Sequence, residues 1–318
     1  MIKDNVYEEP ISHFIKELEI PNFSISLQNS DFEKLEKAHN SIHEFVYIPP
    51  HIVNSEDEFD RNSAFFFYQN ETFIQLHRSF LEAISGCYNA AYTLLRNSFE
   101  MLIKGAFWNC IAHKKYRDKA EIIKKITKNI DGTKESFISL FNETIRQKPK
   151  MGVEFEKKSV VIIEAISPIL KDDKFRKFIP KEKAIIEQLE DWKMFDPIQE
   201  YRDPTEYVHN KFYSRLSRDV HVHPDTTDIW KRIFAKKEIF ENEVIPEELN
   251  KYIEILHELM DLGIVIELNI LENIITSNEH SRRWLIDRTP DVMLLGLNYA
   301  STKMAEMTHK IRDSASKH

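Results

Sequence analysis

The chain has 318 residues, 42% of them hydrophobic, enough apolar material for the core of one large domain or two ordinary ones. A formal net charge of −8 argues against a broad nucleic-acid-coating surface, which needs dense Lys and Arg, so any nucleic acid must meet a local basic patch. Six glycines, with no G-x-G-x-x-G or G-x-x-x-x-G-K-[ST] loop, exclude the phosphate-cradling folds and leave doubly wound sheets and barrels short of the tight turns they use.

Scarce glycine points to an all-α protein, and the chain read in order agrees. "SDFEKLEKAHNSIHEFVY" begins with Ser30 three residues before Glu33, a capping-box spacing, and continues with apolar residues at helical intervals. The proline-punctuated, acidic stretch "IPPHIVNSEDEFDRNS" then reads as a loop. From Ser63 to about His113 the pattern predicts two long apolar helices meeting near Gly86. Shorter amphipathic units follow, separated by Asp131-Gly132, Pro149 and Pro180. "FDPIQEYRDPTEYVHN" reads as irregular. "IPEELNKYIEILHELMDLGIVIELNILENIITSNE" predicts a long helix whose middle is apolar nearly all round and therefore buried. A last helical segment, "DVMLLGLNYASTKMAEMTHKIRD", runs into a polar tail.

No stretch approaches eighteen uninterrupted apolar residues, and "MIKDNVYEEP" lacks the layout of a signal peptide, so the expected compartment is the cytoplasm, without membrane contact. Cys87 and Cys110 form neither a CxxC pair nor a disulfide framework and read as small core residues. With no repeat and no low-complexity linker, the expected organisation is one all-α domain over 1–318. It divides into an N-terminal arm and helix (1–62), a core (63–225) and C-terminal helices (226–318).

Titratable chemistry concentrates in "YSRLSRDVHVHPD", Tyr213 to Asp225. On a helix Tyr213, Ser217 and His221 share one stripe, and Arg218, three residues before His221, reaches the same neighbourhood. His223 precedes Pro224, which pushes it out of the α region, so the helix should end near Val222. A helix C-terminus favours the imidazolium, which suits a histidine to acid or base catalysis; ordinary helix-stop chemistry accounts for the same residues. A metal is not expected at His221 and His223, because on a helix residues two apart point about 200° away from each other, and no H-E-x-x-H is present. Earlier, "LLRNSFE" places Arg96 and Glu100 one turn apart on a strongly apolar helix. An ion pair within the helix accounts for them, but arginine before glutamate is the less favourable order, so partners from the 213–223 stretch are expected.

The combination of "LLRNSFE" with a later "YSRLSRDVH" resembles the helical families of the HEPN superfamily, in particular a prokaryotic family with L-L-R-x-x-x-E followed by Y-x-x-L-S-x-x-V-H. The match covers roughly residues 63–225. The superfamily's arginine–polar–histidine hallmark selects Arg218, Asp219 and His223, or Arg215 with His221, whereas the family-like pattern selects Tyr213, Leu216, Ser217, Val220 and His221. The resemblance implies a HEPN-like helical bundle with extra N- and C-terminal helices that forms a homodimer and, in active members, cuts RNA without metal or other cofactor. In that reading a histidine moves the proton of a ribose 2′-hydroxyl while Arg218 stabilises the phosphate. Glu100 would orient Arg218 or a histidine, and Ser217 and Tyr213 would add hydrogen bonds. The basic cluster with Lys114, Lys115 and Arg117, and a second at Trp230 to Lys237, would hold the RNA backbone; each also fits a solvated helix face. Such an enzyme would be a defence or stress effector, with a regulatory protein as a further partner. The alternative is a catalytically silent module that binds a nucleotide, RNA or a partner protein.

Overall fold

The computed structural model describes residues 31–117, 149–173, 180–198, 202–220, 226–236 and 244–315, and every regular element among them is helical. In chain order these are α1 (Phe32–Ile52), α2 (Glu56–Arg61), α3 (Ser63–Ile84), α4 (Tyr88–Ala112), α5 (Lys114–Arg117), α6 (Pro149–Lys157), α7 (Val161–Lys171) and α8 (Glu182–Asp191). They continue with α9 (Pro204–Val208), a π-helical turn (His209–Ser214), α10 (Arg215–Val220), α11 (Asp228–Phe234), α12 (Pro246–Ser277), α13 (Glu279–Leu294) and α14 (Asn298–Ala315). No helix of the described residues is long and apolar enough to cross a membrane. The amphipathic units predicted within 118–148 lie outside the described residues.

α1 is capped by the Asp31 side chain, which accepts from the Lys34 amide; Ser30, the expected cap, lies outside the described residues. Leu35, Ala38, Ile42, Phe45, Ile48 and Ile52 recur at helical spacing and are buried. The segment expected as a loop is largely helical instead: α1 continues through Pro49 and Pro50, and Ser55 caps α2 by accepting from the Glu58 amide. Pro49 has no N–H to give the Phe45 carbonyl one turn back. Gln69 Nε2 of α3 supplies that donor, at 2.7 Å, and also donates to Glu267 Oε1 of α12 at 2.6 Å. A tertiary hydrogen bond thus completes a helix that proline would otherwise end.

α3 and α4 form the long hairpin that the apolar pattern predicts, turning at Gly86 with φ 77°. The two helices lie so close that a Cβ on Gly105 would stand 2.5 Å from the Tyr68 Cβ. α12 packs against α1, α3, α4, α13 and α14, and every residue from 259 to 271 is buried, as its all-round apolar middle predicts. The C-terminal helices therefore complete the core that α1, α3 and α4 begin. "FDPIQEYRDPTEYVHN", expected as irregular, ends in α9, where Pro204 opens the helix and Asp203 caps it by accepting from the Glu206 amide. The last predicted helix is two: Gly296, at φ 80°, separates α13 from α14. Of the two cysteines, Cys110 is a core residue, but Cys87 sits half-buried at the start of α4.

Candidate functional site

Val208, Phe212 and Leu216 recur every four residues and are fully buried, and with them the π-helical turn and α10 dock on α4. Phe212 stacks on Phe99 of α4 at 5.7 Å between ring centroids. The two motifs singled out in the sequence are therefore neighbours in space. π-helical turns are rare and occur frequently at functional sites.

The polar side chains follow from this docking. Arg96 Nε donates to Glu100 Oε1 at 3.0 Å, and Lys104 Nζ takes Glu100 Oε2 at 3.0 Å and Glu182 of α8 at 3.2 Å. The Arg96 guanidinium lies 5.4 Å from the Tyr213 ring centroid, a cation–π contact between α4 and the π-helical turn. Tyr213 in turn lies against His209, with 5.3 Å between centroids, and His209 Nδ1 is 3.4 Å from Ser214 Oγ. Ser217 Oγ is buried with no hydrogen-bond partner among the described residues, and Arg218 is exposed.

The arrangement differs from the expected one at Glu100. Both Glu100 oxygens are taken within or beside α4, by Arg96 and Lys104, so Glu100 braces Tyr213 through Arg96 and does not engage Arg218. His221 and His223 lie outside the described residues. Sequence reasoning missed Lys104 and Glu182, although Lys104 stands one turn after Glu100, and it missed the approach of His209 to Ser214, which depends on the π register.

The basic cluster after α4 divides. Arg117 is buried, its Nη1 donating to the carbonyls of Ile111 and Ala112, so it closes the C-terminus of α4 instead of facing solvent. Lys114 and Lys115 line a cavity of about 540 Å³ together with Arg61, Asn109, Tyr116 and Lys157. Asn62 and Asn109 of its lining belong to a buried polar chain: Ser159 Oγ donates to Asn109 Oδ1 at 3.0 Å, and Asn109 Nδ2 to Asn62 Oδ1 at 3.2 Å. Burial lowers the Lys115 pKa, and it holds the nearby His113 imidazole down at about 4, uncharged at neutral pH. In the second basic cluster, Lys231 and Arg232 are buried, and Lys231 Nζ lies 5.0 Å from the Tyr92 ring centroid.

A third polar group lies between α1 and α3, where His39, His43 and His77 gather half-buried, with ligand nitrogens all within 4.8 Å of one another. Burial, then repulsion within the trio, lowers the pKa of His39 and His43.

No family model matches the chain, and neither a curated protein nor a solved structure matches it.

Proposed function

We propose that the chain is a metal-independent endoribonuclease of HEPN type, working as a homodimer. The observation that carries this reading is the docking of the π-helical turn and α10 on α4, which joins the two motifs through Arg96 and Tyr213 and leaves Arg218 of α10 exposed. In the reaction a histidine of the 221–223 stretch accepts the 2′-hydroxyl proton, the 2′-oxygen attacks the adjacent phosphorus as the P–O5′ bond breaks, and a protonated histidine of the same stretch gives its proton to the departing 5′-oxygen. Arg218 stabilises the charge that builds on the phosphate. α11 follows the motif and leaves Ile229, Trp230, Ile233 and Phe234 exposed, an apolar face that suits a second copy.

The test incubates the full chain with mixed RNA in EDTA. Wild type should leave 2′,3′-cyclic phosphate ends. His221→Ala/His223→Ala should cut about 10²–10⁴-fold more slowly, the usual worth of a general acid or base, and Arg218→Ala should also lose most activity. RNA left intact by wild type, with or without divalent metal, would sink the reading.

One observation favours a second reading, a module that binds a nucleotide without cutting RNA: the cavity of about 540 Å³ with Arg61, Lys114, Lys115 and Lys157 at its wall. Nucleotide binding that Lys115→Glu abolishes, with no cleavage by wild type, would establish it.

A further inference from the structure

We infer that His39, His43 and His77 form a binding site for a divalent transition-metal ion, zinc(II) foremost, which pins α1 to α3. His39 and His43 stand one turn apart on α1, the spacing by which two helical histidines present nitrogens to one ion. His77 comes from α3, on the neighbouring helix. Two nitrogens bound at about 2.0–2.1 Å to a tetrahedral zinc stand about 3.3–3.4 Å apart. His43 Nε2 and His77 Nε2 are 3.4 Å apart, and small ring rotations close all three nitrogens, now within 4.8 Å, on one ion.

A second observation aims the site. His77 Nδ1 donates to the Phe73 carbonyl at 3.2 Å, which fixes the proton on Nδ1 and leaves the Nε2 lone pair facing His43. A backbone carbonyl in this role is the usual outer support of a metal-bound imidazole. Without an ion, the close His43–His77 approach requires His43 Nε2 to donate. With an ion, His43 carries its proton on Nδ1 and both Nε2 lone pairs point inward. Phe73 packs edge-on against His77, at 4.3 Å between centroids, and holds the ring in place.

Three imidazoles with no thiolate select zinc, copper, nickel or cobalt over magnesium or calcium. Zinc would retain an open fourth position. In a hydrolase helix the residue after the first histidine is the glutamate that serves as base; Asn40 stands there, so the site holds a metal without that base.

The experiment is equilibrium dialysis of the full chain, stripped with chelator, against zinc(II), with cobalt(II) as a spectroscopic probe. Wild type should bind one ion per chain at this site, zinc should raise its melting temperature, and cobalt should show intense visible bands of low coordination number. Removing one ligand, as in His39→Ala, should weaken binding by more than the about 10–100-fold that loss of an outer-shell partner costs. His43→Ala/His77→Ala should lose the ion. No uptake by wild type, or full stoichiometry and affinity in the double variant, would overturn the proposal. Should the double variant fail to fold, imidazole ¹⁵N spectra of wild type decide: zinc must shift three histidines together, and a spectrum left unchanged refutes the site. Arg218→Ala should bind zinc as wild type does, so this result stands apart from any outcome with RNA.

Discussion

Asp261 shows how a single buried carboxyl organises a helix it does not belong to. It projects from α12 and accepts from the amides of Tyr299 at 3.0 Å and Ala300 at 2.7 Å, satisfying donors that the first turn of α14 would otherwise leave orphaned. Burial nevertheless outweighs those bonds and pushes its pKa up to about 6. Asp261→Ala should therefore lower unfolding free energy by about 1–2 kcal/mol, the usual worth of a lost N-cap. Asp261→Asn should lose less, since its Oδ1 still accepts. Urea unfolding of the three proteins at neutral pH checks both, and equal midpoints would refute a capping role.

The elements differ in how openly the sequence announces them. Gln69 fills the gap that Pro49 leaves in α1, so Gln69→Leu should strand the Phe45 carbonyl and Glu267 together. At about 1–3 kcal/mol for each buried group left without its partner, the expected loss is about 2–6 kcal/mol, read by chemical denaturation. A loss below about 1 kcal/mol would mean that α1 runs through its prolines unaided. This bond also explains why the sequence misleads at "IPPHIV". Two prolines are a local stop signal, and the donor that overrides them lies 24 residues from the Phe45 carbonyl it serves. The α3–α4 hairpin was legible because Gly86 and two long apolar runs are local signals, and the buried middle of α12 was legible from composition alone. Of the candidate site, Arg96, Glu100 and Tyr213 could be read as motif residues. That partners would come from the 213–223 stretch was expected as well, but not that Tyr213 would meet Arg96, because that pairing depends on Val208, Phe212 and Leu216 sharing a stripe through a π turn. His39 and His43 were not singled out in the sequence, although they stand one turn apart, and His77, which makes them three, joins only through the packing of α3 on α1.

At the scale of the whole molecule, buried ionisable groups of opposite habit bracket the pH of greatest stability. Burial lowers the pKa of His39, His43 and His257, and brings that of His113 from 6.5 to about 4. The folded chain then holds fewer protons than the unfolded one, and stability is lost as pH falls from 6.5 toward 4. For His113 alone the loss is about 3 kcal/mol, at about 1.4 kcal/mol per pH unit. Burial raises Asp261 to about 6 and Glu267 well above the carboxylate range, so these groups hold protons more tightly when folded. Their contribution is complete below about pH 4 and is lost as pH rises through the folded values. The denaturation midpoint should accordingly peak at about pH 6–7. His113→Asn should flatten the acid limb and Glu267→Gln the alkaline one; a profile unchanged by both would refute this assignment.

The central place of α12 also bears on how the protein is made. Gln69 and Glu267, which meet in the core, are 198 residues apart in the chain. Ribosomes add about 5–20 residues per second, so on the order of 10–40 s separate the emergence of α3 from that of its buried partner. Throughout that interval Phe45, Phe65 and Leu102 have no α12 to cover them, and the nascent chain presents an apolar surface that a holdase chaperone would recognise.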